Sequence, residues 1–216
     1  SNTTGAGNVA VGKDALDANT TGNSNVAVGQ DALQANTTAP NNTAVGYWAL
    51  ADNTTGAQNT GIGRLALENN TTGGYNTAVG DRALQANSTG QYNVALGSQS
   101  LYTNTADGNI AVGYAALYTN TGGNDNIALG RSALYNNTTG TRNIGLGRSA
   151  INTNTTGSRN TGVGYYTLNA NTTGQYNTSV GDASMYNNTT GSYNTALGNN
   201  ALAANTTPSY NTAVGY

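Results

Sequence analysis

Asn76-Thr77-Ala78-Val79-Gly80-Asp81-Arg82-Ala83-Leu84-Gln85-Ala86-Asn87-Ser88-Thr89-Gly90-Gln91-Tyr92 is followed at once by Asn93-Val94-Ala95-Leu96-Gly97, the same motif again. The glycine closing that motif recurs at Gly12, Gly29, Gly46, Gly63, Gly80 and Gly97, then at Gly113, Gly130, Gly147, Gly164, Gly181, Gly198 and Gly215. Every step is 17 residues except one of 16, where the turn Asn104-Thr105-Ala106-Asp107-Gly108 is one residue short. A fixed period running end to end through the chain marks a repeat architecture. It predicts one repetitive domain over residues 1–216.

Each 17-residue unit carries two short apolar segments. The first alternates large, small, large, as in Val26-Ala27-Val28 and Ile127-Ala128-Leu129, which is the period of a strand. The second is Ala-Leu, as at Ala83-Leu84, with Ile151 and Met185 in the place of Leu in two copies. This pattern predicts an all-β fold, a parallel β-solenoid (β-roll) with two short strands per coil and about 13 coils stacked roughly 4.8 Å apart. Helical repeats run above about 30 residues and do not favour Gly, Thr and Asn. A hairpin meander would want Asn-Gly turns, and the chain has no Asn-Gly step.

Composition agrees. Asn (36), Thr (35) and Gly (30) fill nearly half of 216 positions, while Leu, Ile, Val and Phe together number 31, too few for a thick globular core. A solenoid interior one side chain deep needs no more. Only 16 side chains are ionised and the net charge is −2, so the low hydrophobicity is not that of a charged disordered chain. The absence of His and Cys removes the commonest general base, thiol nucleophiles, thiolate metal sites and disulfides. No apolar run approaches the roughly 20 residues of a membrane span, and no signal segment opens the chain. Six Arg and one Lys at a pI near 4.7 argue against nucleic acid as partner.

Individual phases of the repeat have separate jobs. Asn precedes the first segment in every copy, as Asn8, Asn25, Asn42, Asn59, Asn76 and Asn93, and a second series opens the N-T-T-G turn, as Asn19, Asn36, Asn53, Asn70 and Asn87. A carboxamide offers both donor and acceptor, so a column of equivalent Asn is expected to form a ladder between coils. The competing reading, N-glycosylation at sequons such as Asn53-Thr54-Thr55, would crowd one glycan onto every coil. The closing Gly, and Gly22, Gly56 and Gly140 in the longer turn, are expected to take positive φ. If the large residues of the first segment face inward, its middle residue faces out. That residue is Ala10, Ala27, Ala44, Gly61, Ala78, Ala95, Ala111, Ala128, Gly145, Gly162, Ser179, Ala196 or Ala213, a small-residue face expected to receive a neighbouring chain. Tyr75 and Tyr92, then Tyr102, Tyr118 and Tyr135, then Tyr176, Tyr193 and Tyr210 fall on recurring phases and are expected to form exposed stacked strips. Asp14, Asp17, Asp31 and Asp52 lie early with only Lys13 opposing them, while Arg131, Arg142, Arg148 and Arg159 follow on neighbouring coils, an arrangement that could mate chains. The spacing of Asp14 and Asp31 matches no calcium loop, and the G-x-G strand ends lead into no helix. No catalytic, cofactor or metal residue is assigned.

Segments such as Asn76-Thr77-Ala78-Val79-Gly80 and Asn93-Val94-Ala95-Leu96-Gly97 resemble the N-S-V-A-I-G repeats in the head domains of trimeric autotransporter adhesins, and similar repeats of phage tail fibres and bacterial surface fibres. The resemblance implies a left-handed parallel β-roll, three chains side by side, and adhesion at a cell surface or virion. The period of 17, lengthened by N-T-T-G-x-x, departs from the shorter unit of that family, and no stalk or anchor accompanies it.

These readings lead to a non-enzymatic extracellular fibre or filament subunit with an adhesive role, self-associating side by side or end to end as a homo-oligomer, with a surface or glycan as ligand and no membrane insertion. The chain starts at Ser1 inside a turn and stops at Tyr216 without an atypical repeat, so it is expected either to continue in a longer protein or to stack end to end. The alternative is ice binding by the Thr20-Thr21, Thr37-Thr38 and Thr54-Thr55 arrays. No carboxylate pair recurs at a spacing that would support glycoside cleavage.

Overall fold

The structure is a computed structural model describing residues 2–216. It is an all-β parallel solenoid with coils 17 residues apart, organised as two compact units that meet in sequence between Asp107 and Gly108, within the one shortened turn. The first unit contains β1 (Val9–Val11), β2 (Val26–Val28), β3 (Thr43–Val45), β4 (Thr60–Ile62), β5 (Thr77–Val79) and β6 (Val94–Leu96). The second contains β7 (Ile110–Val112), β8 (Ile127–Leu129), β9 (Ile144–Leu146), β10 (Thr161–Val163), β11 (Thr178–Val180), β12 (Thr195–Leu197) and β13 (Thr212–Val214). Within each unit consecutive strands pair in parallel with no slip of register: Ala27 lies beside Ala44, and Gly145 beside Gly162.

Each coil has one strand, not two. The Ala-Leu segment does bond from coil to coil, the Leu33 N–H donating to Ala49 O and the Leu50 N–H to Ala66 O, both at 3.0 Å. A strand needs negative φ at every residue, and here alternate residues are left-handed: φ is 57° at Asp31 and 51° at Leu33, and the same pair recurs at Ser132 (55°) and Leu134 (52°). The segment therefore curls into two successive turns, closed by Ala32 N–H to Gly29 O and Asn36 N–H to Leu33 O. What bends it is tertiary: the curl carries Leu33, Leu50, Leu84 and Leu134 into full burial.

Those leucines also decide which way the strands face. The middle residue of every strand from Ala27 to Ala196 is buried, while the flanking Val, Thr, Ile and Leu are half-buried or exposed. The expected outward small-residue face is thus an inward one, and Ala27, Ala44, Gly61, Ala78, Ala95, Ala111, Ala128, Gly145, Gly162, Ser179 and Ala196 line the interior; Ala10 is exposed and Ala213 half-buried in the first and last strands. The physical reason is thickness. A Cβ built on Gly61 would lie 3.3 Å from Leu50 Cγ, and one on Gly162 only 2.8 Å from Ile151 Cγ1, so the opposite wall already fills the space a larger residue would need. Where the wall carries the β-branched Ile151, the strand answers with Gly162. Where it carries Thr167, the strand answers with Ser179, and the two hydroxyls bond at 2.8 Å in full burial.

The closing glycines combine both reasons for having no side chain. Gly80 has φ 138°, and a Cβ there would sit 2.6 Å from the carbonyl carbon of Gly97 in the next coil. Gly56 and Gly140 in the longer turn have no positive φ; close approach to the next coil alone keeps them small, and the same position holds Ala39 in another coil.

Inward facing has a direct test. Ala78→Leu overpacks the interior and is expected to lower stability by about 1–3 kcal/mol. A fall in the thermal midpoint followed by circular dichroism shows this, whereas an unchanged midpoint would place Ala78 on the surface.

Candidate functional site

Two columns of buried carboxamides run through each unit. In the first, the oxygen of each Asn accepts the backbone N–H of the Asn one coil on: Asn25 Oδ1 from Asn42 N, Asn42 Oδ1 from Asn59 N, Asn59 Oδ1 from Asn76 N, each at 2.9 Å. Asn8 and Asn93 continue the same column, Asn8 accepting from Asn25 N and Asn93 donating to Asn76 Oδ1. In the second column amide bonds amide directly: Asn36 Nδ2 donates to Asn19 Oδ1, Asn53 to Asn36, Asn70 to Asn53 and Asn87 to Asn70, at 2.8–3.0 Å. The columns converge. Gly56 O accepts from both Asn42 Nδ2 and Asn53 Nδ2, each at 2.9 Å, so one backbone carbonyl per coil uses both lone pairs to tie the two ladders together. In the second unit Gly140 O is shared in the same way by Asn126 and Asn137.

The expected ladders are therefore present, and they answer the glycosylation reading. Asn53 is fully buried and both hydrogens of its Nδ2 are engaged, by Asn36 and Gly56, so the folded coil does not present this nitrogen for modification. The Thr of the N-T-T-G turn is likewise drawn inward: Thr54 Oγ1 donates to Thr71 O at 3.0 Å and Thr138 Oγ1 to Thr155 O at 2.9 Å. The hydroxyl array proposed for ice contact thus spends one donor per coil on the next coil.

With the interior filled, chemistry is displayed on outward files. The flat strand face carries two: Thr43, Thr60 and Thr77 beside Val45, Ile62 and Val79 in the first unit, and Ile127, Ile144 and Thr161 beside Leu129, Leu146 and Val163 in the second. Val45, Ile62, Val79 and Leu129 are exposed despite their size. Sequence reasoning assigned these residues to the core. The signal that could have corrected it was the large aliphatic side chain kept in every copy of the second segment, Leu, Ile151 or Met185, which needs only small residues opposite.

Tyrosines flank the strands on the residues just before the ladder Asn and just after the closing Gly. Tyr75 and Tyr92 stack with ring centroids 4.9 Å apart, Tyr176 and Tyr193 at 4.8 Å, and Tyr193 and Tyr210 at 5.1 Å with planes 2° apart. These five are exposed, as expected. Tyr118 and Tyr135 also stack, at 5.0 Å, but with Tyr102 they are half-buried, because they follow the buried Leu of the curled segment. Stacking at the rung spacing covers ring faces and leaves mainly edges, a poor platform for a sugar ring. Tyr165, absent from the expected strips, touches Tyr166 edge-on, and that hydrogen-bonded neighbour holds its phenol above the usual tyrosine value.

The charges are engaged within the chain. Arg131 lies over Tyr114, Arg148 over Tyr165 and Arg159 over Tyr176, at 5.8, 5.6 and 5.1 Å, while Arg142 approaches Asp125 at 3.9 Å. Arg64 pairs with Asp81 at 2.8 Å and Lys13 with Asp14 at 3.4 Å. Asp31 is buried and accepts from Trp48 Nε1 at 2.7 Å and Gln30 Nε2 at 2.9 Å. Among the described residues no three acidic side chains gather as metal ligands, and no helix is long and apolar enough to cross a membrane. Comparison of the chain with family models, curated proteins and solved structures finds no match.

The ladder sets the strength of the coil stack. Asn70→Ala removes donors to Asn53 Oδ1 and Gly73 O and the acceptor of Asn87 Nδ2. Each group left buried and unpaired costs about 1–3 kcal/mol, so a large drop in thermal midpoint is expected, with Thr72→Ala, an exposed neighbour, as the near-neutral control.

Proposed function

We propose that this chain is a structural element of an extracellular fibre, and that its solenoids associate side by side with further copies through the strand face. The observation carrying this reading is the outward file at the third strand position, in register and apolar: Val45, Ile62, Val79 and Leu129 are large side chains held at the surface by a wall that buries only small ones. Water-facing β residues in a monomer would be polar, and regular exposed apolar surface marks contact sites. The Tyr and Arg beside the files are residue types enriched where proteins meet. The interior supports a load-bearing role, since every coil is tied to the next by backbone, carboxamide and hydroxyl bonds at once. The likeness of Asn76-Thr77-Ala78-Val79-Gly80 to adhesin-head and tail-fibre repeats supports a surface location, a trimer as the assembly and adhesion as the role.

Sedimentation of Leu129→Lys/Leu146→Glu/Val163→Lys tests the reading, the alternating signs avoiding repulsion between rungs. Dissociation of the assembly with an unchanged thermal midpoint is expected; an assembly that sediments like the wild type would remove the strand face from the interface.

One observation favours ice as the ligand of the same face. Thr43, Thr60 and Thr77, and again Thr161, Thr178, Thr195 and Thr212, form outward hydroxyl files on paired strands, in register, unlike the N-T-T-G turns first assigned to this role. On that reading the wild type separates melting from freezing, and Thr60→Lys/Thr77→Lys abolishes the gap; coincident melting and freezing points in the wild type would end it.

A further inference from the structure

β9 is bracketed by charge in a way no other strand is: the run Arg142-Asn143-Ile144-Gly145-Leu146-Gly147-Arg148 places one arginine before it and one after, and Arg131 and Arg159 do the same from the neighbouring coils. Four of the chain's six arginines thus surround one patch of the second unit, whose only acids are Asp125 and Asp182. All four are exposed. Three lie over tyrosine rings, an arrangement that fixes the side chain while leaving guanidinium N–H groups free to fork onto a carboxylate. The patch is a positioned anion receptor with an Ile-Leu centre.

The opposite charge lies in the other unit. Asp14, Asp17, Asp31, Asp52 and Glu68 all fall in the Ala-Leu segment of the first four coils, with Lys13 and Arg64 the two cations among them. Asp31 is spent on Trp48 and Asp14 pairs with Lys13; Asp14, Asp17 and Asp52 are exposed and Glu68 half-buried. Arg64 is occupied by Asp81. An acidic edge in one unit and a basic face in the other are complementary in charge.

Resting on the side-by-side reading above, we propose that the contact is heterologous: the acidic Ala-Leu edge of the first unit in one copy docks on the arginine-ringed β9 face of the second unit in the next. The two surfaces lie on different segments of the coil, so one contact leaves each copy with an unused edge and an unused face. Such a head-to-tail contact adds copies into an open array wherever its rotation does not close into a ring. Its charged rim governs encounter rate and register, and makes growth dependent on salt.

Charge exchange tests this. Arg131→Glu/Arg148→Glu makes both surfaces acidic, and Asp14→Arg/Asp17→Arg/Asp52→Arg makes both basic. Each variant alone is expected to lose self-association by roughly tenfold or more at low salt, and an equimolar mixture to recover it, which also shows that both are folded. Wild-type growth is expected to weaken as salt rises from about 0.01 M to about 1 M, where the screening length falls from about 30 Å to about 3 Å. Variants that assemble alone like the wild type, while the strand-face triple variant does not, overturn the heterologous contact and leave side-by-side association standing. A wild type that stays monomeric at every concentration overturns both, and if that monomer is retained on immobilised dextran sulfate through Arg131 and Arg148, the occupant of the β9 face is an acidic polymer and not a second copy.

Discussion

One carbonyl per coil carries the architecture. Gly56 O receives an amide hydrogen from Asn42 and another from Asn53, and through them it joins the two corners of a coil to each other and to the coils on either side. The corners are where backbone groups point inward without strand partners, and an unpaired buried group there would cost about 1–3 kcal/mol. Only a side chain with both donor and acceptor, short enough to stay in the corner and uncharged, repairs this in every coil. Asp would bring buried charge, and Ser a single rotor too short to bridge. The abundance of Asn is thus a consequence of repeating one local solution.

The thin interior follows from the same corners. With the walls held this close, Leu33 or Leu134 reaches across and only Ala, Gly or Ser fits opposite. The larger strand residues are then excluded from the core by volume, whatever their hydrophobicity, and they cover the outside. This inverts the usual relation between burial and size in an antiparallel sheet, and it is what gives the molecule an apolar exterior without a hydrophobic core of ordinary dimensions.

Much of this was legible in the sequence. Period, parallel pairing, in-register stacking and both Asn ladders follow from a 17-residue repeat with Asn8 and Asn19 in fixed phase. The direction of Ala27, Ala78 and Gly162 was not, because alternation fixes which residues share a face and leaves open which face is inside. Leu33 at φ 51° was not legible either: no propensity places leucine in the left-handed region, and it is there because the coil must turn while Leu33 stays buried. The stacked Tyr176, Tyr193 and Tyr210 could be read from phase alone, whereas the half-burial of Tyr118 and Tyr135 depends on the curl of the segment beside Leu117 and Leu134.

Coils this alike raise a question of counting. A strand entering the growing stack meets nearly identical partners one coil too early or too late, and the backbone bonds would form equally well in either place. The pairs Thr167 with Ser179 and Ile151 with Gly162 break the tie. Shifted so that Ser179 faces Ala150, Ser179 would lose the Thr167 hydroxyl and its Cβ would press on Ile151; shifted the other way, Thr167 would face Gly162 and lose the Ser179 hydroxyl. These few departures from the consensus act as index marks: they give a chain that could fold in many frames a preference for one, and they do so from inside, where no ligand or neighbour needs to read them.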